Sequence, residues 1–208
     1  MLVTELFPMG KKKSLVYIDY EKAFSLYNRE IKKYDISVGA EIDEQNYCEL
    51  MNEVFPKRCM ERALYILGGA DKTENQIKKA LTENGYPLEI VDKTVDKLKR
   101  YGYINDVCYA ECYIKQEIFR KSEKRIINEL IYKGVEKEII YAALNEYYAS
   151  QDVTEVQKDL IKKELIKKGV GKDYLLDYRE KNKIFMSLCR KGFEYEDINR
   201  VYDEICDN

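Results

Sequence analysis

Apolar residues keep a helical rhythm over most of this chain, and the rhythm repeats around three glycines. Between Lys124 and Tyr147 a first run, Ile126, Ile127, Leu130 and Ile131, has the i, i+1, i+4, i+5 spacing of one helix face. Gly134 follows, a residue that adopts the left-handed conformation closing a helix at little steric cost. A second run, Ile139, Ile140, Ala143, Leu144 and Tyr147, then resumes the rhythm. The pattern predicts a helix, a tight turn and a second helix. It recurs without gaps around Gly85 and Gly192. Eight residues before each glycine stands Ile77, Ile126 or Ile184; four before, Leu81, Leu130 or Leu188; one after, Tyr86, Val135 or Phe193. Six after stands Val91, Ile140 or Ile198; ten after, Val95, Leu144 or Tyr202; thirteen after, Leu98, Tyr147 or Ile205. Positions on the apolar face match while the intervening ones drift, as in repeated small helical units. The glycines are 49 and then 58 residues apart, so the third copy carries an insertion.

Each copy reads as three helices. Residues 57–103 form the first repeat: a stripe of Met60, Ala63, Leu64 and Leu67 ends at Gly68-Gly69, and Thr73 with Gln76 makes a capping box for the next helix. Pro87 suits the first turn of the third, where its missing N–H is harmless. Residues 104–149 form the second repeat, with Asn105 or Asp106 capping a helix that carries Val107, Ala110, Tyr113, Ile114 and Phe119, and Ser122 capping the next. Residues 150–208 form the third, where Asp152 and Glu155 suggest a cap and Leu160, Leu165 and Ile166 supply the apolar face before Gly169 and Gly171. The expected fold is mainly α: tandem three-helix repeats in an elongated, curved array.

Residues 1–56 break the rhythm and read as a separate strand-containing extension. Leu15–Ile18 is a short β-branched and aromatic run, and Leu2–Phe7 can pair with it across Pro8-Met9-Gly10. Phe24, Tyr27, Ile31 and Tyr34 predict a helix over 21–34, and Ile36 or Ile42 can add short strands. A further helix over 43–55 is expected to stop at Pro56.

Composition narrows the function. Charged residues make up 36% of the 208, but the net charge is only −2, which argues against a nucleic-acid binder held by overall excess charge. There is no histidine, so the usual general base near neutral pH and a Ser–His or Cys–His nucleophilic pair are absent. The six cysteines form no Cys-x-x-Cys pair; Cys108 and Cys112, four apart on a helix, read as small buried apolar residues rather than half of a zinc site. Gly68-Gly69-Ala-Asp-Lys-Thr lacks the spacing of a phosphate loop. No stretch approaches the roughly 20 apolar residues of a membrane span, and the N-terminus lacks the order of a secretion signal. A cytoplasmic protein without catalytic residues, cofactor or metal site is expected.

What remains is binding chemistry. Arg120, Lys121, Lys124, Arg125 and Lys133 cluster along the second helix of the middle repeat, and Lys158, Lys162, Lys163, Lys167, Lys168 and Lys172 along the third repeat. Both clusters stay positive after Glu123, Glu129, Asp159 and Glu164 are subtracted, so each can meet phosphates or an acidic protein surface, or be an ordinary solvated face. Nineteen tyrosines, some beside basic residues as in Lys99-Arg100-Tyr101-Gly102-Tyr103, can stack on bases, fill an interface or complete half-exposed cores.

The run from Gly102-Tyr-Ile-Asn-Asp106 through Tyr109-Ala110, Tyr113 and Ile114, followed by Leu130-Ile-Tyr-Lys133-Gly134-Val135, resembles the RecX family of recombinase regulators. Leu188-Cys-Arg190-Lys191-Gly192-Phe193 resembles that family's last repeat. The resemblance covers roughly residues 57–208, and the N-terminal extension resembles that of longer members. It implies a cytoplasmic, non-enzymatic protein that binds the RecA filament and restrains strand exchange, ATP hydrolysis and the coprotease activity behind the SOS response; a monomer is expected. Two departures stand out. Gly68-Gly69-Ala70 replaces basic residues common in the family, and Ser122-Glu123 replaces a Gly or Gly-Pro. Charge clustering, not a family motif, selects Arg120, Lys121, Lys124, Arg125, Lys162, Lys163, Lys167 and Lys168 as the candidate contacts to RecA or to DNA phosphates in its groove. The rival readings are a single-stranded DNA binder independent of RecA and a general helical scaffold.

Overall fold

The computed structural model describes residues 1–150, 153–171 and 177–207, so Asp152 and Lys172 lie outside the described residues. The chain divides into two compact units, Met1–Asn105 and Asp106–Asn208.

The first unit opens with an antiparallel three-stranded sheet: β1 Val3–Pro8, β2 Lys13–Ile18 and β3 Glu21–Tyr27, in that order. Phe7 faces Leu15, and Val16 faces Phe24. The expected β1–β2 pairing is therefore present, but the helix expected from residue 21 is not. Residues 21–27 form a third strand, and the helix α1 covers only Asn28–Lys33. The reason is the turn before it. Asp19 and Tyr20 both adopt positive φ, 50° and 69°, the backbone of a tight two-residue hairpin. Without a glycine there, that turn has no sequence signal. Ile36 and Ile42 bury their side chains without forming strands; only an isolated bridge joins Leu2 to Glu41.

Pro56 does not end a helix. α2, Glu44–Glu49, runs through a π-turn at Leu50–Val54 into α3, Phe55–Leu67. The N–H of Phe55 reaches back five residues to the Leu50 carbonyl. Widening the turn just ahead of the proline absorbs the missing donor and the ring clash that would break an ordinary α-helix. The helix ends at Gly68, as the pattern predicted. α4, Glu74–Glu83, and α5, Leu88–Arg100, complete the unit. Thr73 accepts from the Gln76 N–H at 3.2 Å, and the Gln76 side chain accepts from the Thr73 N–H at 3.2 Å. One core joins sheet and helices, with Phe24, Leu26, Leu50 and Phe55 packed beside Ile77, Leu81, Val95 and Leu98.

The second unit holds α6 Asp106–Glu117, α7 Glu123–Tyr132, α8 Lys137–Ser150, α9 Val153–Lys167, α10 Tyr178–Arg190 and α11 Tyr195–Asp207. Ile114, Ile126, Leu130 and Ile140 centre one apolar cluster; Leu165, Phe185, Leu188 and Ile198 centre another.

The equivalences around the three glycines hold in three dimensions at the positions four before and six and ten after each glycine, whereas Ile184, Tyr86 and Ile205 are only partly buried where their counterparts are buried, and Phe185 fills the core in place of Ile184. Leu81, Leu130 and Leu188 are all fully buried, as are Val91, Ile140 and Ile198. In each copy the residue after the glycine donates its N–H to that leucine carbonyl: Tyr86 to Leu81 at 3.3 Å, Val135 to Leu130 at 3.1 Å, Phe193 to Leu188 at 3.3 Å. The repeated element is one helix-closing motif with its hydrophobic contact.

Two of these glycine turns also dock on a buried serine. Ser25 of β3 donates to the Asn84 carbonyl at 2.8 Å beside Gly85, and Ser122 donates to the Lys191 carbonyl at 2.6 Å beside Gly192. A Cβ at Gly192 would lie 2.6 Å from Ser122 Oγ and 3.4 Å from the Arg125 backbone nitrogen. Gly169 also has positive φ, +88°, but nothing within 4 Å of a Cβ. Gly169→Ala should therefore cost only backbone strain, about 1–2 kcal/mol. Gly192→Ala adds a steric clash and should cost roughly 2–4 kcal/mol. Urea unfolding of both variants measures the gap; equal losses would mean that Ser122 and the α7 start yield without cost.

Candidate partner-binding surface

The basic residues singled out by sequence separate into two kinds in the structure. Those around α7 are largely committed to internal pairs. Ser122, buried, caps α7 by accepting from the Arg125 N–H at 3.4 Å, which sets the helix in register with the end of α6. That register brings Lys121, Tyr113 and Glu129 together. Lys121 pairs with Glu129 at 2.6 Å and Glu117 at 3.2 Å and donates to the Tyr113 hydroxyl at 3.1 Å. Tyr113 in turn donates to Glu129, and Arg125 pairs with Glu129 at 3.0 Å. Tyr109 stacks on Tyr113, and the Lys133 ammonium lies over both rings.

The electrostatics follow from this geometry. Burial alone would pull the Lys121 ammonium down, but its hydrogen bonds to Glu129, Tyr113 and Glu117 outweigh that and hold it above the ordinary lysine range. Hydrogen bonds from Lys121 and Tyr113, with burial opposing, hold the Glu129 carboxyl at about 2. Lys121 is thus a structural cation with little left for a partner. Lys124 reaches Glu194 at 3.2 Å, but both are exposed, and such a pair contributes only about 0–1 kcal/mol. Arg120 is exposed in the turn after α6 with no ion pair among the described residues.

The third-repeat lysines are different. Lys162, Lys163, Lys167 and Lys168 are all exposed and have no ion pair among the described residues, whereas Lys158 is paired with Glu155 at 3.2 Å. Of the carboxylates on α9, Glu164 is engaged by Lys191 at 2.6 Å, and Asp159, one turn before Lys162 and Lys163, forms no ion pair among the described residues. α9 buries Ile161 and Leu165, so Lys162, Lys163 and Lys167 share the outward face. Ile166 stands among them, 53% exposed, not in the core where its apolar character suggested. Its place one turn beyond Lys162 is the signal that sequence reading passed over. Past the helix end, Lys168, Lys183 and Arg190 line an open cleft of about 470 Å³ with Glu180. This surface can hold an acidic partner through charge and a small apolar anchor.

The remaining chemistry is sparse. Cys108 and Cys112 are exposed, contrary to expectation, because α6 buries the opposite stripe of Ala110 and Ile114. Among the described residues no group of acidic and cysteine side chains could hold a metal, and no helix is long and apolar enough to cross a membrane. Tyr101 and Tyr103 are exposed beside Arg100, while Lys99 is tied to Glu74 at 2.6 Å.

The Glu129 pairing carries a pH signature. Its folded-state acidity lies below the ordinary carboxylate value near 4.3, so its contribution is full above that value and is lost as pH falls towards 2. Glu129→Gln should lower the melting temperature at pH 7 by about 2–4 °C and flatten the loss of stability between pH 5 and 2. Parallel melting curves across that range test it; an unchanged slope would mean that Glu129 contributes nothing to acid stability.

A family model described as the RecX first three-helix domain matches residues 59–98, which cover α4 and most of α3 and α5. Regulatory protein RecX of Caldanaerobacter subterraneus subsp. tengcongensis is 31% identical over 203 residues, 97% of this chain and 98% of that protein. The same-named protein of Finegoldia magna is 30% identical over 188 residues, 89% of this chain and 90% of that protein. A crystal structure of regulatory protein RecX, 26% identical, matches with a TM-score of 0.63 over 100% of this chain and 99% of that one. The structure of RecX from Lactobacillus salivarius, 25% identical, matches with a TM-score of 0.60 over 73% of this chain and 97% of that one. With near-complete overlap in sequence and a shared fold in both units, the chain belongs to the RecX family of regulatory proteins.

Proposed function

We propose that this protein is a negative regulator of RecA that binds the RecA nucleoprotein filament and restrains its recombinase, ATPase and coprotease activities, and with them the SOS response. It acts by binding, as a cytoplasmic monomer, with no catalytic step of its own. Its repeats run over 57–103, 104–149 and 150–208, and the N-terminal extension over 1–56 shares one core with the first repeat. Membership of the RecX family supports the regulatory role, and the name of that family implies the partner.

The observation that carries the choice of surface is the unpaired, exposed group Lys162, Lys163, Lys167 and Lys168 around Ile166. Of the eight candidate contacts, these four and Arg120 have no ion pair among the described residues, and these four stand together. They approach acidic RecA surface or the DNA phosphates in the filament groove. Arg120, Lys124 and Arg125 contribute more weakly, since the last two must give up internal pairs to reach a partner. Lys121 stays in its network.

Inhibition of single-strand-dependent ATP hydrolysis by the RecA of the same organism tests this reading, with the protein added far below equimolar amounts. The triple variant Lys162→Glu, Lys163→Glu, Lys167→Glu should raise the half-inhibitory concentration at least tenfold while the helical signal is unchanged. Lys124→Glu alone should raise it less than threefold, in line with an exposed pair worth under about 1 kcal/mol. Undiminished inhibition by the folded triple variant rules out the α9 surface. Inhibition that appears only when bare DNA is saturated would replace filament regulation with direct strand binding, whose affinity falls steeply with salt.

A further inference from the structure

A third basic cluster, in the first unit, belongs to none of the surfaces above. Arg58 and Arg62 stand one turn apart on α3 and so project from the same face. Lys13 of β2 and Arg58 both lie against the Tyr27 ring. The Lys13 ammonium donates to the Asn84 carbonyl at 2.5 Å and lies 5.8 Å from the Tyr27 ring and 5.5 Å from the Tyr86 ring. The Arg58 guanidinium covers the Tyr27 ring at 4.6 Å, and Arg62 lies over Tyr65 at 5.3 Å.

Among the described residues Glu30 is the carboxylate paired in this cluster, and it serves Arg58. Glu30 accepts twice from Arg58, at 2.7 and 2.8 Å, and its Oε2 also takes the Tyr27 N–H at 2.8 Å, so its capacity is spent on Arg58 and on the start of α1. Among the described residues Arg62 has no ion pair, and its Nε is buried without a hydrogen-bond acceptor. A buried charged donor left unsatisfied is costly, and native chains keep such groups when something else satisfies them. Burial, together with repulsion first from Arg58 and also from Arg62, holds the Lys13 ammonium below the ordinary lysine range despite the opposing pull of Glu30. The cluster is electrostatically frustrated in the direction that a bound anion relieves.

We propose that Lys13, Arg58 and Arg62 form an oxyanion site that takes a phosphate group, which the Arg62 side chain turns to meet. The tetrahedral oxygens of a phosphate supply acceptors to guanidinium N–H groups and to the ammonium at once. The half-exposed Tyr27 beside the site offers a flat apolar wall to whatever carries the phosphate. That carrier is either a free phosphate compound or a nucleic-acid strand; the recognition chemistry is shared.

Isothermal titration of the full chain with inorganic phosphate, and separately with a short oligothymidylate lacking terminal phosphates, distinguishes the two at constant ionic strength. The ¹³Cε shift of Lys13 gives a second readout that needs no variant. Binding should move the Lys13 titration midpoint upward, and Arg62→Met should weaken it about tenfold or more. Lys163→Met, on the other unit, should leave this binding unchanged. Phosphate binding with this dependence assigns a free ligand; oligonucleotide binding alone with the same dependence assigns a strand. If neither ligand shifts Lys13, the proposal is overturned. It is equally overturned if Arg62→Met and Lys13→Met, each folded by circular dichroism, bind as the wild type does. RecA inhibition is not the readout, so this result is separate from that of the α9 surface.

Discussion

Much of this fold depends on how closely a helix-ending turn can approach another element. At Gly85 and Gly192 the turn between the second and third helices of a repeat lies against a serine whose hydroxyl donates to the turn's own carbonyl. The contact requires three properties together: positive φ, no Cβ and a buried hydroxyl. Ser25 thereby fastens the N-terminal sheet to the first repeat, and Ser122 fastens the third repeat to the cap of α7. The apolar clusters supply most of the driving force, but that force is non-directional. The glycine–serine contacts set which surfaces meet and at what distance.

The same local order controls the charges. Ser122 caps α7 at a position that brings Glu129 under Lys121, Arg125 and Tyr113 at once. A chain rich in both signs can satisfy most cations internally, and here it does so around α7. On α9, Glu164 is taken by Lys191, and Asp159 forms no ion pair among the described residues. The lysines on the outward face are left in solvent with an isoleucine among them. Binding capacity in this protein is thus the remainder after folding has used its charges. The Lys13–Arg58–Arg62 cluster is another such remainder, within the first unit.

The three-fold glycine pattern was readable because helix period, helix closure and core burial all constrain the same few positions. Ile77, Leu81, Val91 and Val95 are buried in the places that their counterparts Ile126, Leu130, Ile140 and Leu144 predict. Capping residues Thr73 and Ser122 were equally readable, since a cap acts within three residues of itself. The third strand was not. Phe24, Tyr27 and Ile31 fit a helix as well as they fit a strand, and the hairpin that decides between them is made by Asp19 and Tyr20 in a conformation those residues adopt only when pairing with β2 supports it. Pro56 was misread for a similar reason: a π-turn that accommodates a proline is stabilised by the core packing of Leu50 and Phe55.

Charge followed the same division. The sequence located both basic clusters, because like charges close in the chain are close on a helix. It did not reveal which cations were already paired, because Lys121 meets Glu129, Lys191 meets Glu164 and Arg58 meets Glu30 between different elements of the fold. Local periodicity and closure, which act over a few residues, specified the repeated helices and their buried faces. Contacts between distant elements decided the third strand, the unbroken helix through Pro56 and the set of cations left free to bind, because each depends on partners that only the folded chain brings together.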